Sequence, residues 1–301
     1  MGFRPSGEQL EIALGDARAT IVEVGGGLRT YDVAGRPVLA GYAESAMASA
    51  GRGQVLLPWP NRVDGGAWRW DGTEQQLGLT EVKKRNANHG LVRWAGWQLE
   101  RVNPAEAVAR HVLHPQTGYP FRLAAQLRYT LTEDGLRVEA TVENRTDVRV
   151  PLGLGFHPYF AAGGLADDCR LTVPARTRIE VDERGIPVDR HPVDGSEYDF
   201  RTGRTIGEQV LDTPFTDVDR TDGEVRVVLE GPDARTTVWM DETFDYLQVF
   251  TGDTVPQPER RRRGVAVEPM TCPANALVTG EGLIVLDPGA MLRGTWGIRP
   301  S

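Results

Sequence analysis

Short runs of alternating apolar and polar residues, broken every few positions by glycine, proline or Asp-Gly, constrain this chain more than any other feature. A side-chain period of two belongs to a strand with one face in a core and the other in water. Residues 121–131 and 136–144 are the clearest case. They flank Thr132-Glu-Asp-Gly135, and Asp-Gly supplies the positive φ of a tight hairpin turn. Residues 10–14 and 19–24 around Gly15-Asp16 read the same way, as do 225–230 and 236–240 around Gly231-Pro-Asp233. Residues 282–289 and 290–296 predict a last hairpin at the tail. No long amphipathic helical period is present; short helical turns fit only 41–49 and 205–209. The 35 glycines and 20 prolines are spread along the chain instead of gathering in a linker. The expectation is an all-β fold, one large antiparallel β-sandwich domain over residues 1–301.

Composition narrows the function. A formal charge of −8 argues against nucleic acid or an anionic membrane as the main partner. Two cysteines, Cys169 and Cys272, with no CxxC spacing argue against a disulfide framework or a zinc ribbon. The first residues lack the apolar run of a signal peptide, and no stretch reaches the roughly 20 apolar residues of a membrane helix. A cytoplasmic location follows as the expectation. No nucleotide-binding glycine loop or nucleophile elbow is present.

In four segments polar residues interrupt apolar strands where packing would not call for them. In the first, Asn61-Arg62-Val63 follows Pro58-Trp-Pro60. Arg62 reads either as a solvated turn residue or as a fork of donors suited to an oxygen-rich ligand. In the second, His89-Gly90 lies in a loop ahead of Trp94; it is an ordinary loop histidine or one that approaches a ligand closely. The third is Gly155-Phe-His-Pro-Tyr-Phe160. Pro158 biases His157 to extended backbone, and alternation puts Gly155, His157 and Tyr159 on one face and Phe156 and Phe160 on the other. His157 is either a satisfied buried histidine or an acid–base group. The fourth is Val265-Ala-Val-Glu-Pro-Met270, with Val265 and Val267 facing one way and Ala266, Glu268 and Met270 the other. A lone carboxylate there is costly unless it is paired with an arginine or used as a base of raised pKa.

These four segments, in this order, resemble the aldose 1-epimerase (galactose mutarotase) family over roughly residues 8–297. The Gln248-Val-Phe-Thr-Gly252 stretch resembles the family's strand before the glutamate. The resemblance implies a mutarotase that interconverts the anomers of a free sugar, with His157 as general acid and Glu268 as general base. Arg62 and His89 would orient substrate, with Asn61 and Tyr159 beside them, and the hydroxyl-binding aspartate falls on Asp217. No cofactor and no metal are implied, and the partner is a small sugar bound by a monomer or homodimer. Where the family has His-Gly-Gly, this chain has His89-Gly90-Leu91, and Pro-Trp-Pro precedes Asn61. Those variants resemble a bacterial subgroup that includes relatives acting on sulfoquinovose.

Two alternatives stay open in the sequence. One is a mutarotase for an anionic sugar, sulfonated or 6-phosphorylated, gripped by Arg93 or by the run Arg260, Arg261, Arg262 and Arg263. The other is a carbohydrate-binding β-sandwich without turnover.

Overall fold

The alternating segments form antiparallel ladders throughout the computed structural model, which describes residues 2–232 and 234–301. Leu123–Thr132 buries every second residue, the pattern of a strand with one face in the core. It pairs with Gly135–Asn144 from Leu123↔Asn144 to Thr132↔Gly135. The loop is therefore Glu133 and Asp134, and Gly135 already stands in the ladder. Gln9–Leu14 with Ala17–Val22, and Val225–Glu230 with Arg235–Met240, are the next two expected hairpins. Asp233, in the second of these turns, lies outside the described residues.

The tail departs from expectation. Ile284–Leu286 pairs with Val150–Leu152, while Met291–Pro300 inserts between Gly135–Asn144 and Arg235–Met240. A strand that buries Leu292, Trp296 and Ile298 has main-chain groups to satisfy on both edges. Two long neighbours do this where a lone hairpin partner would leave one edge open. Residues 41–49 and 205–209 are turns and extended chain, not helix. Among the described residues the α-helix is a single turn, Ala276–Thr279, and no helix is long and apolar enough to cross a membrane.

Two large sheets result, one of nine strands centred on Gly135–Asn144 and Met291–Pro300, the other of eight around Gly264–Met270, with a four-stranded sheet from residues 9–37. One apolar cluster joins all three, from Ile12 through Leu127, Phe215 and Val267 to Ile298. Phe156 of the eight-stranded sheet meets Trp296 of the nine-stranded one at 5.3 Å between ring centroids. Aromatic pairs of this kind combine large buried area with a fixed geometry.

Gly264–Met270 positions the site. Gly155–Phe156 and Tyr159–Ala161 both pair with it, and Tyr246–Phe250 runs along its other edge with Gln248 opposite Glu268. Val265 and Val267 enter the main core, while Ala266 packs with Tyr159 on the opposite side. The alternation read from the sequence thus holds on this strand.

Candidate active site

A cavity of about 230 Å³ opens beside these strands, and Asn61, Arg62, His89, His157, Tyr159 and Glu268 line it. Two of the six stand in the left-handed region, Asn61 at φ 55° and His89 at φ 62°. That conformation is uncommon for residues other than glycine and marks a place where surrounding structure overrides local preference. The surroundings here are reciprocal. The Asn61 main-chain N–H donates to His89 Nδ1 at 3.1 Å, and the His89 N–H donates back to the Asn61 carbonyl at 2.8 Å. With Nδ1 accepting, the neutral His89 ring keeps its proton on Nε2. Gly90 serves packing: a Cβ there would lie 2.2 Å from the Leu57 carbonyl oxygen.

Arg62 lies on Arg62–Asp64, paired with Asn86–Asn88. Its fork is bidentate to Glu81, with Nε and Nη2 at 2.8 and 3.0 Å from the two carboxylate oxygens, while Nη1 donates to Asn61 Oδ1 at 3.2 Å. Burial opposes the charge on each, yet the pairing prevails, holding Glu81 below the usual carboxylate range and Arg62 above its ordinary value. Arg62 is thus a locked fork, not a solvated turn residue.

His157 follows Gly155–Phe156, held by its N–H to the Gln54 carbonyl and its C=O to the Gly53 N–H. Its ring stacks on Tyr159, 5.2 Å between centroids with planes 5° apart, and meets His89 edge-on at 5.3 Å. The Tyr159 hydroxyl donates to the Ala50 carbonyl at 2.8 Å, and the Arg52 guanidinium lies 4.0 Å from the tyrosine ring centre. Tyr159 therefore reads as a wall behind the imidazole. Gly51, at φ +73°, completes the wall, because a Cβ there would come 2.3 Å from His157 Cδ2.

Glu268 Oε1 lies 3.2 Å from His157 Nε2, and both residues are almost completely buried. No arginine ion-pairs with Glu268 among the described residues, so the salt-bridge reading of this carboxylate falls away. Burial pushes the Glu268 carboxyl well above its ordinary range; Asp212 adds to the push and Arg62 opposes it. Burial, with Arg52 second, brings the His157 imidazole down to about 3. Both groups are driven to their uncharged forms, and a carboxylic acid donating to a neutral imidazole suits that environment.

The profile of the aldose 1-epimerase family matches residues 8–299. The chain belongs to the aldose 1-epimerase family. An uncharacterized Escherichia coli K12 protein, YihR, is 33% identical over 287 residues, covering 94% of this chain and 90% of that one. Among solved structures, the Caenorhabditis elegans galactose mutarotase/aldose epimerase homologue superposes with TM-score 0.85 at 17% identity, covering 98% of both chains. A putative aldose 1-epimerase from Escherichia coli K12 gives 0.84 at 21%, over 98% of this chain and 99% of the other. Galactose 1-epimerase from Lactobacillus acidophilus gives 0.82 at 20%, over 97% and 94%. Family and fold together support a mutarotase-type role.

One expectation about this epimerase-family site is corrected and one open alternative is narrowed. Asp217 is exposed and does not line the cavity. It shares the strand Asp212–Val218 with a carboxylate that does, Asp212. Five positions of strand, roughly 17 Å, separate them, and Asp217 itself stands in the left-handed region at φ 53°. The arginine run ties down its own loop instead of lining the cavity: Arg260 donates to the Gly41 carbonyl, Arg261 to that of Val255, and Arg262 pairs with Asp167 and Asp253, while Arg263 is exposed. Gln248, Asp212 and Glu81 are among the lining residues that the sequence reading did not single out. Gln248 donates to Asp212 Oδ1 at 2.6 Å and accepts from Asn61 Nδ2 at 3.4 Å. A lone polar residue in the apolar run Tyr-Leu-Gln-Val-Phe is the same cue that singled out Glu268. Asp212 and Glu81 carry no local cue, because their partners are distant in sequence.

Proposed function

We propose that this chain is an aldose 1-epimerase that interconverts the α and β anomers of a free aldohexose. The observation that carries the reading is the buried Glu268–His157 contact at a cavity supplied with hydroxyl-binding groups. Ring opening needs a proton taken from the C1 hydroxyl and another given to the ring oxygen. The dyad holds one proton and meets both needs from its charged form, in which the carboxylate takes the C1 proton while the imidazolium protonates the ring oxygen. The C1–O5 bond then breaks, leaving an open aldehyde with Glu268 protonated and His157 neutral. After rotation about C1–C2, Glu268 returns its proton to the carbonyl oxygen as the C5 hydroxyl attacks and yields its proton to His157. The cycle consumes no proton and restores the dyad. Arg62, Asp212, Gln248 and His89 grip the hydroxyls that do not react, and Trp94, half-exposed at the rim, offers an indole face to sugar C–H groups.

Polarimetry on freshly dissolved α-D-glucose and α-D-galactose tests this. The expected result is faster decay to an unchanged final rotation. No acceleration with neutral or anionic sugars, from folded protein, would leave a carbohydrate-binding module as the better reading.

One observation favours an anionic sugar. Arg93 lines the cavity, half-buried, and its side chain makes no ion pair or hydrogen bond with any described residue. A desolvated guanidinium is costly alone and suits a sulfonate or phosphate. Turnover of glucose 6-phosphate or sulfoquinovose well above that of glucose, with Arg93→Gln raising KM for the anionic sugar only, supports this second reading.

A further inference from the structure

A second, much smaller cavity lies on the core side of the dyad histidine. Its volume is about 10 Å³, and its lining is Leu28, Gly53, Tyr129, Phe156, His157, Pro158 and Trp296. Two of these residues carry a buried nitrogen with no hydrogen-bond partner among the described residues, His157 Nδ1 and Trp296 Nε1. Buried polar atoms of this kind are rare and call for an explanation. The chemistry of the two nitrogens supplies one. The indole N–H only donates. If the Glu268 carboxyl donates to Nε2, the neutral imidazole carries its own proton on Nδ1, so it too is a donor. Two donors cannot satisfy each other, but a single acceptor with two lone pairs serves both.

We infer that one buried water occupies this cavity, accepts hydrogen bonds from Trp296 Nε1–H and His157 Nδ1–H, and so fixes the imidazole with Nε2 free to exchange a proton with the substrate. A space of roughly 10–15 Å³ holds one water when two to four polar partners surround it. The water's own protons find acceptors in the same wall. The Tyr129 hydroxyl oxygen, whose proton goes to the Gly26 carbonyl at 2.6 Å, keeps acceptor capacity, as does the Gly53 carbonyl, which already receives the Leu28 N–H at 3.1 Å. Apolar Leu28, Phe156 and Pro158 complete the lining, so these few polar groups dictate the water's orientation. The bridge takes the place of the third group that orients the base in a catalytic triad. It also supports the imidazolium formed when Nε2 takes up a proton, since Nδ1–H keeps its acceptor. Trp296, contributed by the opposite sheet, becomes a positioning residue for His157.

This inference rests on His157 as a member of the proton-transfer dyad, and its test separates the two ideas. Long-range ¹H–¹⁵N NMR on ligand-free, ¹⁵N-histidine-labelled protein near neutral pH reads the His157 tautomer without any assay. The expected result is a protonated Nδ1 and an unprotonated Nε2. Trp296→Phe keeps the ring and removes the donor. It is expected to perturb both His157 nitrogen shifts, lower kcat about tenfold and leave KM within about twofold, because substrate contacts are untouched. A wild-type Nε2–H tautomer, or His157 shifts unmoved by Trp296→Phe, overturns the bridge. Should that variant fail to fold, a high-resolution crystal structure of the wild type decides: one water within hydrogen-bond distance of both nitrogens supports the bridge, and none refutes it. Mutarotation with the wrong tautomer removes only the bridge, whereas the bridge without mutarotation removes only the proposed function.

Discussion

Glu268 is 2% exposed and faces a histidine whose burial keeps it neutral. Such a carboxyl weakens the fold in a pH-dependent way. Its folded pKa lies above the unfolded value of roughly 4.3, so the native state binds the proton more tightly, and stability falls as pH rises from there through the folded pKa. Glu268→Gln removes this cost along with the base. Its kcat is expected to fall about 10²–10⁴-fold, with a Tm gain of roughly 2–4 °C near neutrality that vanishes below about pH 4. A Tm lower than wild type at neutral pH would contradict the account. His157→Ala is expected to lose similar activity while keeping the fold, and wild-type rates from either soluble variant would sink the assignment. The dyad also sets the pH profile. It fails when it gains a second proton, and His157 at about 3 puts that limb far below the ordinary histidine value of roughly 6.5. The acid limb of kcat/KM should therefore not lie near pH 6.5, and a loss of activity as pH falls through that value would mean a hydrated, charge-carrying His157.

At the scale of elements, the site depends on loops clamped to one strand. Gly264–Met270 supplies Glu268 directly, yet His157 is aimed by the turn around Gly51 and by the Gln54 and Gly53 main chain. Gly51→Ala adds a methyl group against the imidazole in a conformation that alanine resists. It is expected to reduce kcat by at least about tenfold with a loss of only roughly 1–2 kcal/mol in stability; a variant as active as wild type would show that the turn does not position the ring. Arg62 depends on its neighbour in the same way. Glu81→Gln breaks a bidentate ion pair and frees the fork, so KM should rise more than kcat falls. An unchanged KM would place the fork's role outside substrate binding.

For the whole molecule, a single apolar cluster spans all three larger sheets, from Ile12 to Ile298. Trp296 and Phe156 link the two largest sheets at the back of the dyad, so catalytic geometry and global packing share residues. We expect calorimetry to record one cooperative transition. An early, separate transition for the four-stranded sheet of residues 9–37 would instead make that sheet an independent unit.

Period-two alternation, the scarcity of helical period and the turn residues are local properties, and they determined the all-β class, the main hairpins and the facing of Tyr159 and Glu268 on their strands. A polar residue inside an apolar strand is also a local anomaly, which is why Glu268 was legible and Gln248 could have been. What depends on pairing across the chain was not. The tail strand went to the centre of a sheet because both its edges needed partners. The cavity's aspartate is Asp212 and not Asp217, because the ladder with Tyr246–Phe250 decides which end of the strand reaches the site. Glu81 meets Arg62 only when two loops close on each other, and Trp296 meets the back of His157 only when the sheets pack. Charge, hydropathy and strand period act within a few residues; desolvation and register are set by neighbours distant in the chain, from 19 positions for Arg62 and Glu81 upward, and those the tertiary structure alone decides.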